Sequence, residues 1–325
     1  MTAPIDHVLV VKLGALGDLI LADGALHDIR AHHPSARIHL LTRRPFLGLM
    51  QRCPWVDVVH VDENARRWQL AAMLRWKRWI ASVGALQVYD LQHSSRTRFY
   101  RRWLAARSQP WSTIARSDRA ARRAAVPERL AMQLERAGVP VLQARTPRPH
   151  WIAEDTAGLR LRAGIDCPFV LLLPGASARH PHKRWPWYGE LSQVLTDAGT
   201  RVVTVLGPDE AGDSGQYAGT LLDDQGHWLS IPQLADVARH AACVVGNDSG
   251  PSHLAACLDA PCVALFESGN PSLQRTGIEQ RNAIRLDAPR LADIHVQAVA
   301  DAVWQQLQAQ APSTPCGTPP QAAGI

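Results

Sequence analysis

The stretch VVGNDSGPSHLAACLDAPCVALF, residues 244–266, decides the fold. An apolar run typical of a buried strand ends at Gly246, a short polar turn follows, and a helix with small residues in its first turn is predicted after it. A corner of this kind directs several backbone N–H groups and the positive end of a helix dipole at one point. The stretch therefore predicts a binding site for an anion. Its candidate contacts are Asp248, Ser249, Gly250 and His253.

Ordinary helix capping is the alternative explanation of the same residues. Asp248 would then be the N-cap, and Pro251 would stand in the first helical turn, where proline is favoured. The sequence of this corner alone leaves both explanations open.

Outward from this corner, short apolar runs alternate with longer helical patterns along the whole chain. That alternation is typical of parallel sheets with crossover helices. The predicted strands are 7–12, 37–42, 56–61 and 86–91 in the first half, and 168–173, 201–206, 242–246, 261–266 and 282–286 in the second. The predicted helices are 18–32, 64–82, 126–137, 185–198, 231–240, 251–258 and 294–309. The pattern predicts two α/β units.

The boundary between the two units is predicted around residues 138–155, which are rich in proline and lack periodicity. We therefore expect an N-terminal domain over residues 1–150 and a C-terminal domain over residues 151–310. Residues 311–325 have the Pro, Gly and Ser composition of a disordered tail.

Composition excludes several classes of protein. No run approaches the roughly 20 apolar residues that a membrane-spanning helix requires. The N-terminus passes directly into an apolar strand, without the basic stretch and cleavage site of a secretory signal. The six cysteines include no C-x-x-C pair, and the fourteen histidines show no H-E-x-x-H spacing. We therefore expect a cytoplasmic protein with neither disulfide bonds nor a bound metal.

Charge is divided unevenly between the two halves. Residues 1–150 contain 24 Lys and Arg against 11 Asp and Glu, and residues 151–325 contain 11 against 18. The halves therefore carry about +13 and −7, in agreement with the net +6 of the chain. Such asymmetry predicts that the N-terminal half meets a polyanion, which can be a nucleic acid, an anionic membrane surface or a phosphorylated substrate. A solvated basic surface without a partner is the alternative.

A second corner opens the first half, in the stretch VVKLGALGDLIL of residues 10–21. Gly14 and Gly17 form a turn, but their G-x-x-G spacing lacks the G-x-G of a dinucleotide-binding turn. Asp18 follows the turn at the carboxyl end of the strand, where open α/β sheets bind ligands. A carboxylate there can accept a proton from a hydroxyl nucleophile. Capping of the following helix is again the alternative.

Two further segments of the second half follow strands. In the stretch FVLLLPGASARHPHKRWPWYGEL, residues 169–191, backbone donors and Lys183 suit the two phosphates of a nucleotide diphosphate. In the stretch VLGPDEAGDSG, residues 205–215, Asp209 and Glu210 stand where a carboxylate can bind ribose hydroxyls. A solvated basic loop is the alternative for the first of these segments.

The predicted helix 64–82 places tryptophans on one face and basic residues elsewhere. This pattern favours a membrane interface, with packing of the tryptophans in the core as the alternative. A second basic group of arginines follows, at Arg96, Arg98, Arg101, Arg102, Arg107, Arg116, Arg119, Arg122 and Arg123. Together these features favour an anionic acceptor at a membrane surface.

Taken together, the motifs VKLGALGD (11–18), PGAS (174–177) with KRWP (183–186), and NDSGPSHLAA (247–256) resemble those of glycosyltransferase family 9, the ADP-heptose:lipopolysaccharide heptosyltransferases. The resemblance covers roughly residues 7–305, with three motifs in family order. The segment YDLQHSSRTR, 89–98, also looks like the acceptor-side loop of the family.

The resemblance implies a GT-B fold: two Rossmann-like domains with parallel sheets facing across a cleft, with the final helix, 294–309, returning to the N-terminal domain. It implies an inverting displacement without a metal or other cofactor, in which Asp18 is the catalytic base and ADP leaves under stabilisation by Lys183 and a helix dipole. The implied donor-binding residues are Ser177, Lys183, Glu210, Asp248, Ser249, Gly250 and His253. The implied acceptor-binding residues are Gly17, Gln92 and Arg96.

Three positions depart from the family pattern. Glu267 brings a carboxylate to the loop after Phe266, Gly24 replaces a frequent proline, and His93 replaces a frequent glycine. These changes bear on the donor sugar and the acceptor more than on the fold.

The sequence thus predicts a monomeric cytoplasmic enzyme, peripherally associated with the inner membrane, that moves heptose from ADP-heptose to the inner core of lipopolysaccharide. A related transferase that uses another nucleotide sugar for core or capsule polysaccharide is one alternative. A non-catalytic nucleic-acid-binding protein is another, although no helix-turn-helix, RRM or zinc pattern is present. We expect no nucleic-acid partner.

Overall fold

The computed structural model describes residues 5–63, 70–82, 86–104, 110–177, 180–269, 277–278 and 281–310. Within these residues, eleven strands form two parallel sheets. The strands are β1 His7–Val11, β2 Arg37–Arg43, β3 Val58–Asp62, β4 Leu86–Asp90, β5 Trp111–Ser112, β6 Val170–Leu173, β7 Val202–Thr204, β8 Thr220–Leu221, β9 Cys243–Asn247, β10 Cys262–Glu267 and β11 Ala283–Ala288.

Helices cover the faces of both sheets. They are α1 Leu16–Ile20, α2 Asp23–His32, α3 Leu47–Met50, α4 Leu70–Ser82, α5 Ser95–Leu104, α6 Arg119–Arg123, α7 Val126–Arg136, α8 Ala157–Arg162, α9 Tyr188–Asp197, α10 Ile231–His240, α11 Gly250–Cys257 and α12 Val296–Gln310. Short 3₁₀ turns fill several of the connections.

Strand order places the ligand-binding edge of each sheet. The N-terminal sheet has the order β3-β2-β1-β4-β5, and the C-terminal sheet has the order β11-β10-β9-β6-β7-β8. The direction of winding reverses between β1 and β4 in the first sheet and between β6 and β9 in the second. Open α/β sheets bind ligands in the crevice outside the carboxyl ends of the strands at such a reversal. The residues that follow β1, β4, β6 and β9 are therefore expected to line the ligand-binding crevice.

All nine strands predicted from the sequence are present, because continuous apolar runs between turns mark strands that are buried on both faces. The two-residue strands β5 and β8 were not predicted, and neither were the helices α3, α5, α6 and α8. The predicted helix 18–32 is two helices, α1 and α2.

The two halves of the molecule touch through α1 and α11. Leu254 and Leu258 join the hydrophobic core that is otherwise built mostly from the N-terminal half. The approach is close, because a Cβ atom added at Gly17 would lie 2.9 Å from the His253 ring and one added at Gly250 would lie 3.0 Å from the Leu16 Cβ. Glycine at these two positions is what allows the halves to meet at this point.

Helix α2 holds the segment that leads into the C-terminal half. The buried Asp28 carboxylate accepts hydrogen bonds from the backbone N–H groups of residues 142–144 at 2.8–3.0 Å. A Cβ atom at Gly24 would come within 2.0 Å of the Gln143 carbonyl oxygen. The departure at Gly24 is therefore a packing requirement of this connection.

The last described helix, α12, lies on the C-terminal sheet. Val299, Ala300 and Val303 are buried in the core cluster that contains Val170 and Leu172 of β6. The apolar face of α12 therefore packs on the sheet of its own half, and the return of the chain to the N-terminal domain stays a prediction. The predicted disordered tail, 311–325, lies outside the described residues.

Helix α4 coincides with the second part of the predicted amphipathic helix. Ile80 is buried, and the Trp79 ring packs against the His39 and His60 rings. These two apolar residues therefore pack against the sheet, whereas Trp68 lies outside the described residues. In the part of the chain that the structure describes, no helix is long and apolar enough to cross a membrane.

Candidate active site

Two adjoining cavities occupy the cleft between the sheets. The larger one, about 460 Å³, is lined by residues that follow β1, β6, β7 and β9, and we call it the cleft cavity. The second, about 350 Å³, lies at the contact between α1 and α11, and we call it the junction cavity. Six residues line both cavities: Ala15, Gly17, Lys183, Asp248, Ser249 and Gly250. Both cavities therefore form at the places where the winding of the sheets reverses.

Asp18 lies in the first turn of α1 and lines the junction cavity. The N-cap of α1 is Ala15, so Asp18 does not cap the helix, and the capping alternative is wrong here. Within the described part of the chain no hydrogen bond or ion pair holds its carboxylate. A carboxylate with this freedom can accept a proton from a bound hydroxyl group.

Lys183, Asp248 and His253 form one polar group, in which the first two line both cavities and His253 lines the junction cavity. The Lys183 ammonium donates to Asp248 Oδ2 at 2.5 Å, and His253 Nε2 lies 3.2 Å from Asp248 Oδ1. Burial alone would raise the pKa of Asp248, but the hydrogen bonds from His253 and Lys183 outweigh it and hold that pKa well below the ordinary value. Asp248 is therefore a fixed anion that orients a cation at the cavity wall.

The N-terminus of α11 completes this wall. Its N-cap is Ser249, in extended conformation, and its first turn contains Gly250 and Pro251. Asp248 precedes the cap, so the capping alternative is wrong for this residue as well. Because the helix starts at the cavity, its unpaired backbone N–H groups and dipole favour an anion there.

Asn247 joins the segments that make the wall, and it was not singled out in the sequence. Its buried side chain donates to the Pro174 carbonyl oxygen at 2.9 Å and accepts from the Trp185 backbone N–H at 3.1 Å. The Trp185 indole N–H in turn donates to the Ile294 carbonyl oxygen at 3.0 Å. Asn247 therefore fixes the position of Lys183, two residues before Trp185. The only sequence signal was an amide at the last position of an otherwise apolar strand.

Ser177 and Glu210 both line the cleft cavity. Ser177 is exposed in the loop after β6. The Glu210 carboxylate is buried, accepts from the Gly207 backbone N–H at 3.0 Å and pairs with the Arg184 guanidinium at 2.5 Å. Glu210 thus shapes the cavity while its own oxygens are engaged by the protein.

A third pocket, which we call the arginine pocket, opens beside the junction cavity in the N-terminal half. It has a volume of about 460 Å³. It is lined by Gln92, His93, Ser95, Arg98, Ile114, Ala115, Arg116, Arg122 and Arg129. Arg129 also lines the junction cavity, so the two spaces share a wall. Four guanidinium groups around one pocket suit carboxylate or phosphate groups, which they can bind in bidentate fashion.

Gln92 and His93 connect the arginine pocket to the turn that carries Asp18. The Gln92 side-chain oxygen accepts the Leu13 backbone N–H at 2.8 Å. His93 has φ 51°, a conformation that suits glycine, and its ring contacts Gln133 at 2.5 Å. Burial lowers the pKa of His93 to about 4. Its ring is therefore neutral at pH 7.

Arg96 occupies a different place from the one expected for an acceptor contact. Its guanidinium makes two hydrogen bonds of 2.7 Å to Asp62, and the Tyr100 hydroxyl donates to the same carboxylate at 2.9 Å. Arg96 lines none of the three cavities described above. Glu267, at the end of β10, lines none of them either.

The comparisons with known proteins agree with this geometry. A family model described as Glycosyltransferase family 9 (heptosyltransferase) matches residues 116–303. The chain belongs to glycosyltransferase family 9. The matched region contains the Lys183 and Asp248 segments and three arginines of the arginine pocket, Arg116, Arg122 and Arg129.

Two curated relatives show how far the likeness within family 9 extends. Lipopolysaccharide heptosyltransferase 2 of Salmonella typhimurium is 30% identical over 128 residues, which cover 37% of this chain and 36% of that protein. The match therefore spans about a third of the length of that relative. Lipopolysaccharide heptosyltransferase 1 of Pseudomonas aeruginosa is 27% identical over 306 residues, which cover 86% of this chain and 83% of that protein.

Solved structures confirm the fold of this family 9 member. A family 9 glycosyl transferase from Veillonella parvula superposes with a TM-score of 0.74 at 20% identity, over 95% of this chain and 99% of that one. The Escherichia coli heptosyltransferase WaaC with ADP superposes with a TM-score of 0.65 at 19% identity, over 92% and 99%. The predicted GT-B arrangement of two Rossmann-like domains is confirmed.

Proposed function

We propose that this protein is an inverting transferase that moves heptose from ADP-heptose to the inner core of lipopolysaccharide. The observation that carries the proposal is that Asp18 from one half and Lys183 from the other line the same cavity. One side chain is a carboxylate free to take a proton, and the other is an ammonium able to stabilise a leaving diphosphate. Family membership and the named activities of the relatives support the sugar and the acceptor.

The donor is assigned to the cleft cavity. Lys183 and the N-terminus of α11 supply positive charge for the diphosphate, and Ser249 and Gly250 allow close approach to the backbone. Ser177, Glu210 and Asp248 line the same space, and His253 contacts Asp248 from the side of the junction cavity. The structure of WaaC with ADP, a protein of the same fold, supports a nucleotide with an adenine base.

The proposed chemical step is a single displacement. The Asp18 carboxylate accepts the proton of an acceptor hydroxyl as the hydroxyl oxygen bonds to the anomeric carbon of the sugar. The bond between that carbon and the diphosphate oxygen breaks, and its electron pair leaves with ADP. Lys183 and the helix dipole stabilise the charge that develops on the diphosphate. Attack from the side opposite the departing diphosphate inverts the anomeric configuration.

The acceptor is assigned to the junction cavity and the arginine pocket. Gly17 and Gln92 keep their proposed place on this side, whereas Arg129, Arg122 and Arg116 replace Arg96 as the basic contacts. An inner-core acceptor is anionic and attached to a lipid, which fits the excess of positive charge in this half. We further propose a monomer that acts in the cytoplasm at the inner face of the membrane.

The test is release of ADP by the purified protein. We expect release only when ADP-heptose and a Kdo-lipid A or heptosylated acceptor are both present, and a product whose anomeric configuration is opposite to that of the donor. A panel of ADP-, UDP- and GDP-sugars checks the alternative donors. Turnover with a different sugar and none with ADP-heptose would overturn the donor assignment.

Two variants of α6 test the acceptor side. Arg122 lines the arginine pocket, whereas Arg119 is an exposed arginine of the same helix that does not. We expect Arg122→Ala to raise the KM for the acceptor about tenfold, because it removes a charge-assisted contact. Arg119→Ala should leave that KM unchanged. Equal effects of the two variants would contradict the pocket assignment.

Lys183 and the N-terminus of α11 supply the positive charge that stabilises the leaving diphosphate in this proposal. We therefore propose that no metal takes part. Activity should persist after removal of divalent cations with EDTA. Loss of activity on chelation, restored by one added cation, would contradict this part of the proposal.

A further inference from the structure

We propose that the indole ring of Trp228 is the stacking platform for the nucleobase of the donor, and that it determines how tightly the base is held. The inference rests on the assignment of the donor to the cleft cavity. It goes further by assigning the base to the end of the cavity opposite the diphosphate.

The cleft cavity has two chemically different ends. Lys183, Asp248 and the N-terminus of α11 form the polar end. These polar groups also line the junction cavity, whereas an apolar group of residues lines the cleft cavity alone and marks its other end: Val205, Leu206, Trp228, Leu229, Ile231 and Leu234. A nucleoside diphosphate has the same division, with a charged diphosphate at one end and a flat base at the other. Only one orientation matches the charges of the site.

The backbone on the amino-terminal side of Trp228 is held by a tight turn. Asp224 and His227 exchange two backbone hydrogen bonds of 2.8 and 3.1 Å across this turn. Gln225 and Gly226 have φ values of 56° and 83°, the left-handed pair that such a turn requires. Trp228 therefore leaves the turn in a fixed direction.

The backbone on the carboxyl-terminal side of Trp228 is held by a helix cap. Ser230 and Gln233 form a capping box at the start of α10, with bonds of 2.9 and 3.3 Å. The Gln233 side chain also donates to the Asp224 carboxylate at 2.8 Å and so ties the cap to the turn. Trp228 lies between two anchored points, which is the rigidity that a preorganised binding surface needs.

Trp228 combines an exposed ring with a place in the lining of the cleft cavity. It is 44% exposed while it lines a cavity. An aromatic ring of this size at the apolar end of a nucleotide cavity offers a flat surface to a base. Stacking of a base on an aromatic ring contributes about 1–3 kcal/mol by alanine substitution, which corresponds to roughly five- to 150-fold in affinity.

The experiment compares ADP with inorganic pyrophosphate by titration calorimetry. Trp228→Ala should weaken ADP binding by about tenfold or more and leave pyrophosphate affinity unchanged, because pyrophosphate has no base to stack. Trp228→Phe should retain most of the ADP affinity. Trp187 is the matched control, because it is similarly exposed at 42% and lines neither the cleft cavity nor the junction cavity. Trp187→Ala should bind both ligands as the parent does.

The outcomes separate this inference from the proposed function. If the parent protein binds no ADP, the donor assignment itself is overturned. If the parent binds ADP and Trp228→Ala binds it equally well, only the platform is overturned. An equal loss of ADP and pyrophosphate affinity in Trp228→Ala would show that the cavity had collapsed and would also overturn the platform.

Discussion

The two halves of the molecule place a strand, a glycine-containing turn and a short helix at the same position in their folds, but they use them differently. The β1–α1 corner carries Asp18 and the β9–α11 corner carries Asp248, and both carboxylates line the junction cavity. Asp248 is held by Lys183 and His253, whereas within the described chain no hydrogen bond or ion pair holds Asp18. One local design thus yields a fixed anion in one half and an available base in the other.

The difference comes from neighbours that are distant in sequence. Lys183 approaches Asp248 because Asn247 binds the backbone of Trp185. Lys12, a cation close to the Asp18 corner in sequence, is buried and donates instead to the Leu91 carbonyl oxygen at 3.1 Å. Burial lowers the pKa of Lys12. The environment, more than the residue type, therefore decides which carboxylate can do acid–base chemistry.

We expect the strongest effect from Asp18→Asn, because it removes the carboxylate that we propose as the catalytic base. The variant keeps the shape of the side chain but cannot accept the proton, so we expect kcat to fall about 100-fold or more. ADP affinity should remain within about twofold. Steady-state kinetics and calorimetry check the two statements, and unchanged kcat would refute the assignment of the base.

Lys183→Met and Asp248→Asn test the two members of the ion pair in the C-terminal half. Lys183→Met removes the cation that faces the diphosphate, and a hydrogen bond to a charged group contributes about 1.5–3 kcal/mol, so ADP should bind roughly tenfold to a hundredfold more weakly. Asp248→Asn frees the same cation from its partner and should reduce ADP affinity less.

Calorimetric titration of the parent protein and the two variants with ADP ranks these effects. If Asp248→Asn shifted the pH dependence of kcat while Asp18→Asn did not, the two carboxylates would have exchanged roles and our assignment would be wrong.

Gly17→Ala tests the contact that brings the corners together. The added methyl group would meet the His253 ring at 2.9 Å, so the halves must separate or His253 must move. Overpacking of this kind costs about 1–3 kcal/mol, and we expect both a lower midpoint of urea unfolding and a lower kcat. Gly48→Ala is the control, because nothing lies within 4 Å of its added Cβ. A Gly17→Ala protein as stable and active as the parent would show that the contact is not required.

The weakest effect that we expect is on stability in acid, where the N-terminal half should be destabilised at a higher pH than the C-terminal half. Burial, together with neighbouring positive charges, lowers the pKa of His33 and His39 of the N-terminal half to about 4, below the ordinary 6.5. The unfolded chain therefore binds more protons between pH 6.5 and 4, and stability is lost as the pH falls through that window. Asp248, whose pKa is lowered, loses its contribution only below the ordinary carboxyl range.

Urea unfolding between pH 7 and pH 4 measures the loss of stability that we assign to His33 and His39. His39→Gln should flatten the loss of stability there, and Asp248→Asn should not. The same slope in the His39→Gln protein as in the parent would contradict the role of the buried histidines.

Much of the fold could be predicted from the sequence because its signals are local. The central strands β1, β6 and β9 are nearly continuous apolar runs, and the two corners are marked by glycines and small residues beside an acidic residue. Helix α5 was not predicted, because four arginines between Ser95 and Leu104 obscure its apolar periodicity. The short strands β5 and β8 have two residues each, too few for any pattern to register.

Some residues of the candidate site could likewise be predicted from local sequence, and others could not. Asp18, Lys183 and the 248–253 segment follow strands whose carboxyl ends must meet, so local motifs were sufficient to find them. Arg96 could not be placed from sequence, because its binding to Asp62 depends on the pairing of β3 with the rest of the sheet. Asn247 and Trp228 were missed for a related reason: each acts through partners or a cavity that exist only in the folded chain.

Local patterns in the sequence are enough to show that two α/β units are present and that a carboxylate and an ammonium stand at the ends of strands. Those features follow from apolar periodicity and turn chemistry over a few residues. Only the tertiary structure decided which carboxylate is held and which is free, which arginines face a pocket, and where the last helix packs. These depend on contacts between residues tens to hundreds of positions apart, and no local pattern encodes which of the possible partners a side chain will meet.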